Sequence, residues 1–268
     1  MQTNVTDFIE SKMLIPIIQK FYPYCVCLLL CFLAYKKHWL TLSGAVAAFG
    51  MAVVFILVGL RTFYLPLLLL LGGTLLSKLN AETEDKQGRD AKQVLANGLI
   101  GIICLLLYVL HFNDTYQSPL LLAYLLSFSI SICDTFSSER GKYFKGKTID
   151  ILSFKPIASG LSGGISVQGT LGGLAGSIFC ATISFFCFDI TLCFALVVCL
   201  LSFTGMLFDS ILGSLLQAKY VNRNGVIEEN SSDDNHLLKG YIWCSNDVVN
   251  LMSNLIVVSF FLLGLSLM

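Results

Sequence analysis

Apolar residues fill this chain in long runs separated by short polar stretches. The runs lie at about 21–35 (starting as early as Met13), 41–60, 62–78, 94–112, 118–133, 167–187, 190–213 and 248–267. A helix rises ~1.5 Å per residue, so runs of this order cross the ~30 Å of hydrocarbon in a bilayer. Arg61 and Pro66 alone mark the break between the second and third. The pattern predicts an all-α, polytopic integral membrane helix bundle of about eight transmembrane helices, with seven or nine as the alternatives. It forms a single membrane domain over residues 1–268.

Composition agrees: 56% of residues are hydrophobic and only 13% charged, with a mean hydropathy of +0.78, which excludes a soluble domain. The first run reads as a span and not as a cleavable signal, because acidic Asp7 and Glu10 stand where a signal would be basic. Nearly all of the ten cysteines fall inside apolar runs, and no CxxC pair occurs. They read as small buried hydrophobes.

Charge then orients the bundle. With eight spans, fourteen of the 17 Lys and Arg fall on one side, leaving Lys12, Lys20 and Arg61 on the other. The positive-inside rule makes the basic side cytoplasmic, with both termini on the opposite side. The cytoplasmic loops are then about 80–93, 134–166 and 214–247. The formal net charge of +0 gives no reason to expect a nucleic-acid partner.

The polar residues gather at that same face. Asp134 ends the fifth span, Asp209 lies a turn or two inside the seventh, and Asp247 begins the eighth. A carboxylate at membrane depth costs roughly 2.5–3.5 kcal/mol on insertion scales, so it is rarely accidental. On a helix, Asp209, Gly213 and Gln217 share a face, as do Asn246, Asn250 and Asn254, and likewise Ser127, Ser131, Asp134 and Ser138. Three such stripes meeting at one end would gather hard oxygen ligands suited to Mg²⁺, with Asp134, Asp209, Asp247 and Glu139 as metal candidates. The alternative is helix capping and interhelical hydrogen bonding, and Glu139 would then pair with Arg140 or Lys142. Ser138, Gln217, Asn246 and Asn250 are supporting candidates in the first reading.

A glycine-rich stretch, "ASGLSGGISVQGTLGG" (Ala158 to Gly173), lies between the fifth and sixth spans. Its first half, with Gly163, Gly164 and Ser166 before a helix start, suits a backbone cradle for an anion. In its second half Gly169 and Gly173, and Gly172 and Gly176, recur four apart within an apolar run, which suits close helix packing. The P-loop spacing from Gly164 to Gly169 is present, but its lysine is absent. Lys155 runs directly into the stretch, and Lys155, Gly163, Gly164, Ser166, Gly169 and Thr170 are the nucleotide-binding candidates. Basic groups, carboxylates and glycine amides together are the components of phosphoryl transfer.

The blocks "QVLANG", "DTFSSERG", "SGGISVQGT", "DSILGSLLQ" and "NDVVN", in this order between about Gly44 and Met252, resemble the transmembrane protein 19 family. That family includes a plant phytyl-phosphate kinase. The resemblance implies a membrane kinase that transfers the γ-phosphate of a nucleoside triphosphate to an isoprenoid monophosphate with Mg²⁺. Lys86, Arg89 and Asn97 are the candidate contacts of the acceptor phosphate.

The series Asp134, Ser137, Gly141, Gly146, Lys155 is also similar to the nucleotide motif of CTP-dependent dolichol and phytol kinases. Those carry Ala at the Ser137 position and Glu-Gly after the lysine, where this chain has Pro156 and then Ser159-Gly160. The donor is therefore CTP or another nucleoside triphosphate. The membrane lipid or isoprenoid phosphate and the nucleotide are the expected partners, and oligomeric state stays open. A prenol kinase or cytidylyltransferase is the nearest alternative, since the same groups serve it. A transporter would instead place its polar residues near the midplane, usually within internal repeats, and neither pattern is visible here.

Overall fold

The computed structural model describes residues 5–79, 88–111 and 117–267. Its helices are α1 (Val5–Lys36), α2 (Leu42–Val58), α3 (Tyr64–Leu79), α4 (Ala91–Leu110), α5 (Gln117–Phe144), α6 (Val167–Cys187), α7 (Leu192–Leu216) and α8 (Asn246–Ser266), with a 3₁₀ turn at Leu60–Phe63. Each predicted run therefore has its helix. Six, counting the 3₁₀ turn with α3, are long and apolar enough to cross a membrane, whereas Phe21–Lys36 and Leu42–Val58 are shorter apolar stretches. The protein is an integral, multi-pass helical membrane protein.

Polar caps set several helix starts. Thr41 Oγ1 accepts from the Gly44 amide at 3.1 Å, Asp90 Oδ1 from Gln93 at 2.9 Å, and Ser166 Oγ from Gly169 at 3.1 Å. Each satisfies an amide that the first turn would leave bare.

Helix α5 is the hub, packing against α3, α4, α6, α7 and α8. Its apolar window is 72% buried, against 22–39% for the other spans, which face lipid over most of their surface. Tyr124, Leu125, Leu126 and Ile132 are fully buried along it. The helix also outruns its apolar run. It carries "DTFSSERGKYF" as helix to Phe144, so the predicted loop from residue 134 begins instead near Lys145, where φ is +45°.

The glycine stripe of α6 explains this extension. A side chain at Gly172 would meet the Phe136 carbonyl oxygen at 2.8 Å, one at Gly169 the Ser137 carbonyl oxygen at 3.1 Å, and one at Gly173 Met206 of α7. The second half of the glycine stretch is thus a packing surface that holds α6 on α5 past the membrane edge.

Connections alternate between the two ends of the bundle. The Arg61–Asp189 ion pair, 2.7 Å and exposed, joins the α2–α3 and α6–α7 connections at one end. At the other, Thr41 pairs with Arg89 across the α1–α2 and α3–α4 connections, and Glu229 reaches Ser162 across α7–α8 and α5–α6. Short strands cover this second end. β1 (Ile149–Asp150) pairs with β2 (Gly164–Ile165), and β3 (Lys219–Asn222) lies between β4 (Ile227–Glu228) and β5 (Asn235–Lys239), all antiparallel. The sequence reading had these segments as plain loops, because strands of two to five residues carry no measurable period.

Candidate functional site

Beneath the strands lies a polar cavity of about 270 Å³ between α4, α5, α6, α7 and α8. Asp134, Glu139, Asp209 and Asp247 all line it, as do Arg89, Asn97, Ser138, Asn246 and Asn250. So do Gly163, Gly164, Ser166 and Gly169. Of the predicted site residues, Lys155, Thr170 and Gln217 are not on its wall, and Lys86 lies outside the described residues.

Asp209 is only 6% exposed. Ser253 donates to Oδ2 at 2.8 Å, and the Asn250 side-chain nitrogen, with the amide turned to satisfy its neighbours, donates to the same oxygen at 3.1 Å. Asp134 is its charged neighbour from α5, so two like charges share one side of the cavity. Glu139 stands near both Asp134 and Arg89, while Asp247, in the first turn of α8, has Asp90 and Lys92 as its charged neighbours. Just below, Ser131 donates to the Asn97 carbonyl (2.8 Å) and accepts from Asn254 (2.9 Å), so these two stripe residues serve interhelical bonding.

Arg89 is placed by its backbone, which donates to Trp39 and accepts from Thr41, both at 3.0 Å. Its guanidinium fills the space that Gly73 leaves open on α3 and donates to the Leu69 and Leu70 carbonyls at 3.4 Å. Burial lowers its pKa and Glu139 works against that shift. A guanidinium starts so high that it stays charged.

The glycine loop is clamped from beneath by residues the sequence reading did not single out. The Glu229 carboxylate accepts from the Ser162 amide, and Lys219 Nζ donates to the Ser162 carbonyl at 2.7 Å. Burial raises the Glu229 carboxyl, while the Ser162 amide, Lys219, Lys142 and Gln217 oppose the rise. Gln217 thus supports the site from outside its wall. Burial lowers Lys219, and Asp150 and Glu229 pull it back.

Asp150 accepts from Ser214 at 2.6 Å and from Ser153 and Leu152. Burial raises its carboxyl, and these hydrogen bonds outweigh that, bringing it down to about 2. Glu229 sits in "EENSSDDNHLL", which shows no periodicity, and Asp150 in "KTIDILSF", so neither carried a signal. Lys142, read as a general loop cation, lines the cavity. Lys155 is exposed. Its carbonyl accepts from the Asp150 amide at 2.9 Å, and this tight hairpin holds it off the cavity although it is next to the glycines in sequence.

Gly163 explains why glycine is needed here. Its φ is +79°, and a Cβ would lie 2.6–2.8 Å from Cβ, Cα and N of Ser214 on α7. We expect Gly163→Ala to lower the melting temperature by several degrees. Left-handed backbone (~1–2 kcal/mol) and overpacking (~1–3 kcal/mol) act together. Two of the clashing atoms are backbone, so adding Ser214→Gly should not restore stability. Restoration in the double variant would refute the contact.

Among the described residues, no three of His, Cys, Asp and Glu come together as a ready metal cage, and the cavity wall holds no His or Cys. Its donors are carboxylate, hydroxyl and amide oxygens.

The fold and cavity define a polytopic membrane protein with an acidic, polar cavity at one end of its bundle. Residues 25–258 match the family model described as "Integral membrane protein DUF92". The chain belongs to this family, of transmembrane protein 19 type, as the sequence blocks implied. It is 30% identical over 190 residues to "Protein VTE6, chloroplastic" of Arabidopsis thaliana, covering 68% of this chain and 51% of VTE6. It is 29% identical over 218 residues to "Protein PGR" of the same plant, covering 70% and 76%. A Methanocaldococcus jannaschii protein, "Uncharacterized membrane protein MJ0933", is 34% identical over 152 residues, covering 56% and 60%. The chain thus spans about half the length of VTE6. No solved structure matches.

Proposed function

We propose that this protein is a prenyl-phosphate kinase. It would transfer the γ-phosphate of a nucleoside triphosphate to an isoprenoid monophosphate of phytyl type, at the cytoplasmic face. The observation that carries the reading is the charge of one cavity. Among the described residues, five carboxylates (Asp134, Glu139, Asp209, Glu229, Asp247) face two cations (Arg89, Lys142) beneath a glycine loop. Such a wall repels a nucleotide unless a divalent cation enters with it.

The residues present fit Mg²⁺, which typically takes one or two carboxylates and completes its shell with phosphate oxygens and water. Asp134 and Asp209 are the pair that would hold it, with Ser253 and Asn250 orienting Asp209. When bound, the ion would neutralise charge on the transferred phosphoryl group.

The chain's own residues divide the remaining work. Arg89, supported by Asn97, anchors the acceptor phosphate, and the amides around Gly163 and Gly164 with Lys142 receive the donor phosphates. An acceptor oxygen forms the new P–O bond at the γ-phosphorus as the bond to the β-bridging oxygen breaks, leaving the prenyl diphosphate and a nucleoside diphosphate. The resemblance to a family that includes a phytyl-phosphate kinase supports the same reading. Purified protein given γ-labelled nucleotide, Mg²⁺ and phytyl monophosphate should yield labelled phytyl diphosphate. Label moving from the α-position instead would indicate a cytidylyltransferase.

The orientation follows from the one-sided Lys and Arg distribution. A cysteine placed beside Lys142 should react with impermeant reagent only from the cytoplasmic side, and a terminal reporter only from the other. A cytoplasmic C-terminus would overturn the orientation.

A further inference from the structure

A second cavity, of about 150 Å³, opens off the first among α1 to α5. The two share four residues, Arg89, Gln93, Asn97 and Thr135. Those four are the polar part of its wall. The rest is apolar, including Ala48, Met51 and Phe55 of α2, Leu67 of α3, Gly98 of α4 and Phe128 of α5.

The slot runs along α2. From Thr41, which bonds the Arg89 backbone, to Phe55 is ~20 Å at 1.5 Å per residue. Its floor is aromatic, with Phe55 packed edge-on against Phe63 (5.2 Å) and Phe128 (5.9 Å). Gly98 keeps it open, since a Cβ there would lie 2.8 Å from Met51 Cε and 3.4 Å from Phe128.

An apolar slot ending at a half-buried guanidinium matches an amphiphile with an anionic head. We infer that this cavity seats the phosphate-proximal isoprene units of the prenyl monophosphate, with the phosphate at Arg89 where the two cavities meet. The placement rests on the kinase reading above. It explains why Arg89 stands between the cavities: the tail fixes the depth at which the acceptor phosphate faces Asp134 and Asp209. Tail burial, worth ~0.8 kcal/mol per CH₂, then contributes to positioning as well as to affinity.

The test uses the full-length protein in lipid nanodiscs and a prenyl monophosphate with a diazirine near its head. Crosslinked peptides should come from α2 and α4 around Met51 and Gly98. Ala48→Phe and Gly98→Leu, each checked for a native melting temperature, should raise the KM for phytyl monophosphate about tenfold or more, an amount one lost isoprene unit accounts for. The KM for nucleotide should not move. Crosslinks on the outer faces of α7 or α8, with phytyl KM unchanged in both variants, would overturn the tail site even if the kinase activity stands. If the unmodified protein phosphorylates no prenyl monophosphate, the kinase reading fails, and the crosslink map alone then decides the tail site: α2 and α4 for it, any other helix against it.

Discussion

Asp209→Asn removes phosphoryl transfer by at least about a thousandfold, roughly 4 kcal/mol of barrier, yet leaves the bundle at least as stable as before. The two halves of this expectation have one cause. The buried carboxylate faces a second one, Asp134, and its partners at Oδ2 are Ser253 and Asn250, both neutral. In the nucleotide-free protein that arrangement costs stability, because two carboxyl groups that repel when ionised share a site out of water. An asparagine keeps the size and the oxygen that Ser253 bonds, and it removes the repulsion. With metal and nucleotide bound, the same charge is what the transition state needs, and an amide cannot replace it. Measuring the melting temperature and γ-phosphate transfer on the same preparation separates the cases. Near-native turnover would remove Asp209 from the mechanism. Lost activity with a melting temperature several degrees lower would make its role structural.

The parts of this protein that were legible in sequence are those a bilayer dictates. An apolar run must be helical to satisfy its backbone in hydrocarbon, so each of the eight runs has its α-helix among the described residues. Polar residues that survive at the ends of those runs have few innocent reasons to be there. Asp134, Asp209 and Asp247 are such residues, and they came to one cavity. Outside the bilayer that constraint vanishes. The polar end of α5 had no apolar run to announce it and is held as helix by glycines of α6, far along the chain. The strands β1 to β5 exist only through pairing across connections. Glu229 and Lys219 meet Ser162 by the same route, over separations of 67 and 57 residues that no local pattern encodes. Lys155 shows the converse, since the turn that Asp150 makes with it holds it off the cavity wall although it adjoins the glycines in sequence.

The acceptor should be a phosphate and not an alcohol, with phytyl monophosphate turned over at least about a thousandfold faster than phytol, a barrier difference of roughly 4 kcal/mol. The expectation comes from proton bookkeeping. A phosphate monoester with its second pKa near ~6 is largely a dianion at neutral pH, so it attacks the γ-phosphorus with no proton to lose. A prenol must give up a proton, which calls for a general base within hydrogen-bond reach. The cavity wall carries no histidine. Asp209 already accepts from Ser253 and Asn250, and Glu229 is committed to the Ser162 amide beneath the glycine loop. Releasing either as a base would unbind a metal ligand or loosen the loop. Arg89 points the same way, since a half-buried guanidinium beside the apolar slot recognises an anion that is already charged and gains little from a hydroxyl. Assaying both acceptors at equal concentration with the same nucleotide decides the matter. Should the protein phosphorylate phytol and leave the monophosphate untouched, one of these carboxylates is a base, and the assignment of Arg89 to an acceptor phosphate falls with the monophosphate itself.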